Sequence, residues 1–166
     1  GQTLEPLGFE VDVRPQKGQL RDYFFEGLDT GRLPVLMPEG ELDVIPFAGG
    51  KISVGASHEN DQGFDLTVDE TVLSSLEEEA KTYFPDLSTA KSISERVGTR
   101  AYTSDFSPFF GEVPELEGVF VASGLGSSGL TTGPLIGKNL VELVMNRSGS
   151  LDSADYPVAQ YIEKKD

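Results

Sequence analysis

Val119-Phe-Val-Ala-Ser123 followed by Gly124-Leu-Gly-Ser-Ser-Gly-Leu-Thr-Thr-Gly133 joins an apolar, strand-like run to a helical pattern that begins near Leu130. Glycines allow backbone N–H groups to come close to a ligand, and a helix start presents unpaired donors with partial positive charge, so this junction favours an anionic group. Three familiar motifs compete for it. Gly124, Gly126 and Gly129 fit the spacing G-x-G-x-x-G, but the chain ends at Asp166 after a polar, turn-rich stretch, with no second hydrophobic strand carrying a ribose-binding acid. A phosphate-binding P-loop needs a lysine where Leu130 stands. No G-x-S-x-G elbow runs through Ser127 or Ser128, which leaves serine hydrolysis without a nucleophile motif.

Outward from that junction, the pattern reads as α+β: a mixed, largely antiparallel sheet with flanking helices, and a C-terminal helix after the Gly-rich loop. Phe9-Glu-Val-Asp-Val13 alternates as a half-buried strand, and a second strand is expected from Gln19 to Phe25 after a break at Lys17-Gly18. Leu42 to Pro46 and Lys51 to Gly55 flank Phe47-Ala-Gly-Gly50, which predicts an antiparallel hairpin. Thr67 and Glu70 have the spacing of a capping box before a helix with the stripe Val72, Leu73, Leu76, Ala80 and Tyr83, stopped by Pro85. Its Glu77-Glu78-Glu79 run reads as a solvated face. Strand pattern returns from Ser92 to Tyr102, followed by a loop from Asp105 to Gly111. In the last helix Ile136, Leu140, Val141 and Val144 form the core stripe, Gly133 and Gly137 permit close packing, and Pro134 belongs to the first turn or kinks the helix.

Composition excludes several partners. The formal net charge of −15 would repel nucleic acid and anionic membrane surfaces. No apolar run approaches the ~20 residues that span a bilayer. The absence of cysteine removes disulfides and thiolate metal sites, and no His, Cys or acid spacing suggests a metal. Without an export signature, a cytoplasmic location is the expectation.

Several pieces, in order, resemble one family: Arg14-Pro-Gln-Lys-Gly-Gln19, Val44-Ile-Pro46, Ile52-Ser-Val-Gly-Ala-Ser57, Pro85-Asp-Leu87, Gly98-Thr-Arg-Ala-Tyr-Thr-Ser-Asp105 with Pro108 and Gly111, and Gly124 to Pro134. The chain resembles the FAD-dependent amine and amino-acid oxidoreductases, such as glycine oxidase, sarcosine oxidase and D-amino-acid dehydrogenase. That resemblance implies an N-terminal Rossmann-like FAD domain, of which nothing precedes Phe9. The chain would then hold a substrate-binding part (1–118), a strand, loop and helix that complete the flavin site (119–146), and a polar tail (147–166). A fragment of a longer enzyme is the expectation, inactive by itself; a non-catalytic small-molecule binder that lost its flavin domain is the alternative.

The resemblance also implies site residues. Leu125, Gly126, Ser127, Ser128, Gly129, Leu130 and Thr131 would lie against the flavin. Arg100 would hold the carboxylate of a small amino-acid or amine substrate through a two-pronged salt bridge, with Arg96 as the substitute on the same strand face. Asp43 stands where glycine oxidase-like relatives place a carboxylate-binding tyrosine; it would attract a substrate ammonium or a second amino group, or lie outside the pocket if the strand register differs by one. Ser127 stands where glycine oxidase has an arginine. His58, the single histidine, reads as an exposed loop residue rather than a general base, and Lys17 as structural.

Overall fold

The computed structural model describes residues 2–165, which gather into two compact units, 16–99 and the pair of segments up to Pro15 and from Arg100 onward. This grouping by packing differs from the expected boundaries at 118 and 146, which divide the chain by role. In chain order the elements are β1 (Phe9–Val11), β2 (Arg14–Phe24), β3 (Asp43–Pro46), β4 (Lys51–Gly55), α1 (Glu70–Tyr83), β5 (Lys91–Tyr102), β6 (Phe109–Glu112), β7 (Phe120–Ser123), α2 (Gly129–Val144) and β8 (Ile162–Lys164). The chain passes between units inside β2 and β5.

Residues 16–99 build a four-stranded sheet in the order β3-β4-β2-β5. β4 runs antiparallel to both neighbours, with Asp43 opposite Gly55 and Asp22 opposite Ser53, so the expected hairpin forms. Alternation divides β2 between two faces. Tyr23 points into a core with Phe25, Leu42, Val44, Ile52, Val54, Leu87 and the Leu76 and Ala80 stripe of α1. The sequence breaks β2 at Lys17-Gly18, yet the strand continues through it. Lys17 exchanges backbone hydrogen bonds with Glu59 at 2.9 Å in each direction, and its side chain is 3% exposed beside Asp65.

Two features of α1 differ from expectation. The cap is Asp69, whose carboxylate accepts from Thr71 N at 2.8 Å, while Thr67 is occupied with Asp65. Asp outcompetes a threonine two residues upstream because it stands directly before the first helical residue. Glu77 is not simply solvated: it accepts from the Tyr23 hydroxyl at 2.7 Å and pairs with Lys81 at 2.8 Å. Glu78 and Glu79 are exposed as expected. Tyr83, assigned to the stripe, is 51% exposed.

The other unit joins β1 to β8 and β6 to β7, both antiparallel. Its core holds Leu4, Phe9, Phe109, Val113, Val158, Tyr161 and Ile162, with Phe109 and Tyr161 stacked at 4.8 Å between centroids. The stretch after α2 reads as a polar tail, but its end returns Val158, Tyr161 and Ile162 to this core and pairs β8 with β1. Three apolar residues spaced among polar ones are too few to register as a pattern. The expected 105–111 loop is shorter, because Phe109 and Phe110 already belong to β6.

In α2 only Ile136 of the expected stripe is fully buried, joined by Asn139, and Val141 and Val144 are 57% and 49% exposed. Asn139 is buried because its amide donates to Leu135 O at 2.8 Å and its carbonyl accepts from Leu151 N at 2.8 Å. Pro134 lies inside the helix. A Cβ on Gly137 would meet nothing within 4 Å, so this glycine allows no close packing; one on Gly133 would touch Leu125 at an ordinary 3.5 Å. No helix among the described residues is long and apolar enough to cross a membrane.

Candidate cofactor loop and substrate face

β7 delivers the chain to Gly124, where the backbone turns with φ +75°. A Cβ there would lie 2.8 Å from Ser107 O and 2.9 Å from Thr103 Cγ2, so Gly124 rests directly on the 103–108 turn. Only glycine satisfies both the left-handed conformation and the close approach. A turn of 3-10 helix, Gly126–Ser128, then leads into α2.

Gly126 has φ +54° and open space where its Cβ would be. The hydroxyls of this segment point back to carbonyls: Ser128 donates to Leu125 O at 3.0 Å, and Thr131 and Thr132 donate to Ser128 O at 2.8 and 3.0 Å. No side chain caps α2, which leaves the N–H groups of its first turn without a side-chain acceptor. The Ser128 N–H, one of the donors expected to face a ligand, is instead bonded to Leu125 O at 3.2 Å. Leu125, Gly126 and Gly129 are half-buried; Ser127, Ser128, Leu130 and Thr131 are exposed, Leu130 at 96%. The segment thus offers backbone dipoles and an apolar side chain to whatever approaches it, with no charged side chain of its own.

Among the substrate candidates, Arg100 lies on β5 and is half-buried, in the unit that also carries the loop. Asp43 opens β3 in the other unit, half-buried, on the sheet face shared with Ser53 and Asp22. Arg96, on the same strand, is bonded within the 16–99 unit. Its Nη2 donates to Asp22 Oδ1 at 3.0 Å and to Ser53 Oγ at 3.1 Å. Asp22, 1% exposed, also accepts from Ser94 at 2.9 Å and pairs with Lys51 at 3.0 Å. Burial alone would raise this carboxyl, but the bonds from Ser53, Lys51, Arg96 and Ser94 outweigh it and hold the group far below the ordinary range.

His58 is half-buried, with Nδ1 3.5 Å from Glu41, and belongs to the same loop segment that Gln16, Lys17 and Gln19 tie to β2. Among the described residues no group of His, Cys, Asp or Glu could hold a metal ion.

One cluster escaped the sequence reading. Asp105 accepts from Thr103, Ser107 N, Tyr161 and Gln160. Its bond to Ser107, two residues on, is an Asx turn legible in Thr103-Ser-Asp-Phe-Ser107; the partnership with Tyr161 has no local signal.

Known proteins share this family and fold. Residues 1–143 match the family model described as FAD dependent oxidoreductase. The chain is 38% identical over 159 residues to the uncharacterized oxidoreductase YurR of Bacillus subtilis, covering 95% of this chain and 43% of that protein. It is 30% identical to a glycine oxidase of Pseudomonas aeruginosa, covering 96% and 43%. Among solved structures, iminodiacetate oxidase from Chelativorans sp. BNC1 superposes with a TM-score of 0.89 at 33% identity, over 95% of this chain and 42% of that one. The chain therefore spans about two fifths of the length of these relatives. The extent of the family match, with the Gly-rich turn and helix inside it, establishes that the chain belongs to the FAD-dependent oxidoreductases.

Proposed function

We propose that this chain supplies the substrate-binding sheet and the flavin-closing loop and helix of an enzyme that oxidises a small amino acid or secondary amine. The carrying observation is the stretch from Leu125 to Thr131: a positive-φ glycine with open space above it, followed by a helix start without a side-chain cap. Those features suit a flat cofactor edge bearing carbonyl oxygens, because backbone N–H groups and the helix dipole favour negative charge there. When bound, FAD supplies a two-electron acceptor for hydride.

The rest of the work falls to this chain's residues. Arg100 holds the substrate carboxylate, a role for which the planar guanidinium fork is suited, and so orients the α-carbon. Asp43 carries a negative charge that attracts an ammonium or second amino group, where a tyrosine would not. The oxidised product, an imine, hydrolyses in water. The apolar residues that α2 leaves open, Leu130, Leu135, Val141 and Val144, are the surface assigned to the flavin domain of the longer protein. The names of the relatives, glycine oxidase and iminodiacetate oxidase, support small carboxylate-bearing amines as the substrate class.

The test is the visible absorption of the full-length protein, with anaerobic addition of glycine, sarcosine, iminodiacetate, proline and D-amino acids in turn. Flavin bands that bleach with one of these, and no longer bleach at the same concentration after Arg100→Ala, support the reading. A full-length protein that binds no FAD refutes it.

A further inference from the structure

Asp105 is not assigned any part in binding substrate or cofactor, yet its carboxylate joins two separate pieces of the chain. Oδ1 lies 3.0 Å from Thr103 Oγ1 and accepts from Ser107 N at 3.1 Å. Oδ2 accepts from the Tyr161 hydroxyl at 2.9 Å and from Gln160 Nε2 at 3.3 Å. The Thr103 hydroxyl also reaches Ser107 O at 2.8 Å, and its single proton is shared between the two acceptors. Thr103 is fully buried, and Tyr161 is 5% exposed and stacked on Phe109. The two atoms that lie nearest a Cβ at Gly124, Ser107 O and Thr103 Cγ2, both belong to the turn that Asp105 closes.

We propose that Asp105 is a positioning residue for the flavin-facing loop: it fixes the 103–107 turn on which Gly124 rests and anchors that turn to Tyr161. The inference rests on the reading of Leu125 to Thr131 as the flavin contact. Asp105 itself touches neither substrate nor cofactor; it acts through Gly124, the point at which β7 turns into the loop. The alternative, a cluster that merely stabilises the unit, would place no particular demand on the loop. Two features argue against it. The clasp closes on the turn whose atoms lie nearest a Cβ at Gly124, and its far end is held in the Phe109 and Tyr161 core rather than in solvent, so displacement at Asp105 is transmitted to the loop.

Electrostatics keep the clasp closed across the working range. Donation from Ser107 N–H, then from Tyr161, holds the Asp105 carboxyl below its ordinary value, and burial followed by the Asp105 bond raises the Tyr161 phenol. The acid stays ionised and the phenol keeps its proton.

The experiment compares the full-length holoprotein with Asp105→Asn, Tyr161→Phe and Ile162→Val, measuring FAD dissociation and the reduction midpoint of the bound flavin. Asparagine must present an NH₂ to one pair of donors, so Asp105→Asn is expected to weaken FAD retention about tenfold and to move the midpoint. Tyr161→Phe keeps the ring stack but removes one donor, and shifts both readouts in the same direction by less. Ile162→Val lowers thermal stability from the same core without changing either readout. If Asp105→Asn and Tyr161→Phe retain FAD and potential as the parent does, the inference fails while the flavin reading stands. If the parent binds no FAD, both fail together. Should Asp105→Asn not fold, Tyr161→Phe alone decides between these outcomes.

Discussion

Gly124 and Gly126, with one residue between them, both have positive φ, and replacing each with alanine should cost stability to different extents. At Gly124 an L-residue costs about 1–2 kcal/mol for the left-handed backbone at φ +75°. The added Cβ would also lie 2.8 Å from a backbone oxygen and 2.9 Å from a methyl of a fully buried threonine, neither of which can swing aside. Overpacking of this kind costs about 1–3 kcal/mol, which brings Gly124→Ala to roughly 2–5 kcal/mol. At Gly126 the φ of +54° carries the same conformational cost, but no atom lies within 4 Å of the new methyl, so Gly126→Ala should cost only about 1–2 kcal/mol. Urea unfolding of the apo full-length protein reads the difference. With a slope of about 2 kcal/mol per M, the midpoint of Gly124→Ala should fall below that of Gly126→Ala by about 1 M. FAD titration should weaken both variants: Gly124→Ala because its methyl displaces the loop from the turn, and Gly126→Ala tenfold or more while remaining well folded, because its methyl occupies the space proposed for the flavin edge. Equal midpoints would show that the 103–108 turn yields to a methyl group. Undiminished FAD affinity in Gly126→Ala would mean that the open space at this glycine is not where the cofactor comes.

Asp22→Asn should destabilise the 16–99 unit by about 2 kcal/mol at neutral pH, because it removes the charge that Lys51, Arg96, Ser53 and Ser94 all address. Since the folded carboxyl is depressed, its contribution is complete above the ordinary value near 4 and fades as pH falls below it, so the gap between parent and variant should narrow between about pH 4 and pH 2. Denaturation across that range that leaves the gap constant would refute the assignment. Asp69→Ala should cost about 1 kcal/mol, as loss of an N-cap does, whereas Thr67→Ala should stay within about 0.5 kcal/mol. Chemical denaturation that ranks these two in reverse would restore the cap to Thr67.

The elements with strong local signals were legible in the sequence, and the site only in part. The hairpin at Phe47 to Gly50, the stop at Pro85 and the junction at Gly124 are dictated by residues next to one another, and each forms as read. What failed depends on partners distant in sequence. Lys17-Gly18 reads as a break because a charge and a glycine are poor strand formers, but Glu59 and Asp65 supply the pairing that keeps the strand intact. Arg96 and Arg100 are indistinguishable by spacing, and the bond from Arg96 to Asp22, on the neighbouring strand, has no local signal. The return of Tyr161 to the core and to Asp105 was invisible for the same reason.

The charge of the whole chain and the charge at its site act on different partners. A net charge of −15 opposes an extended polyanion, which meets the entire surface at once. A small amino acid meets only the few groups within a Debye length, about 8 Å at physiological salt, and more distant acids are screened from it. Within this chain many cations are held by nearby carboxylates: Arg21 lies among Glu70, Glu77 and Glu95, Lys81 pairs with Glu77 and Glu78, and Lys51 and Arg96 share Asp22. Such pairs nearly cancel at a distance, so they neither draw a substrate in nor deter it. Composition therefore bears on an extended polyanion. It says nothing about a single carboxylate, whose binding depends on the few groups it meets rather than on the sum over the surface.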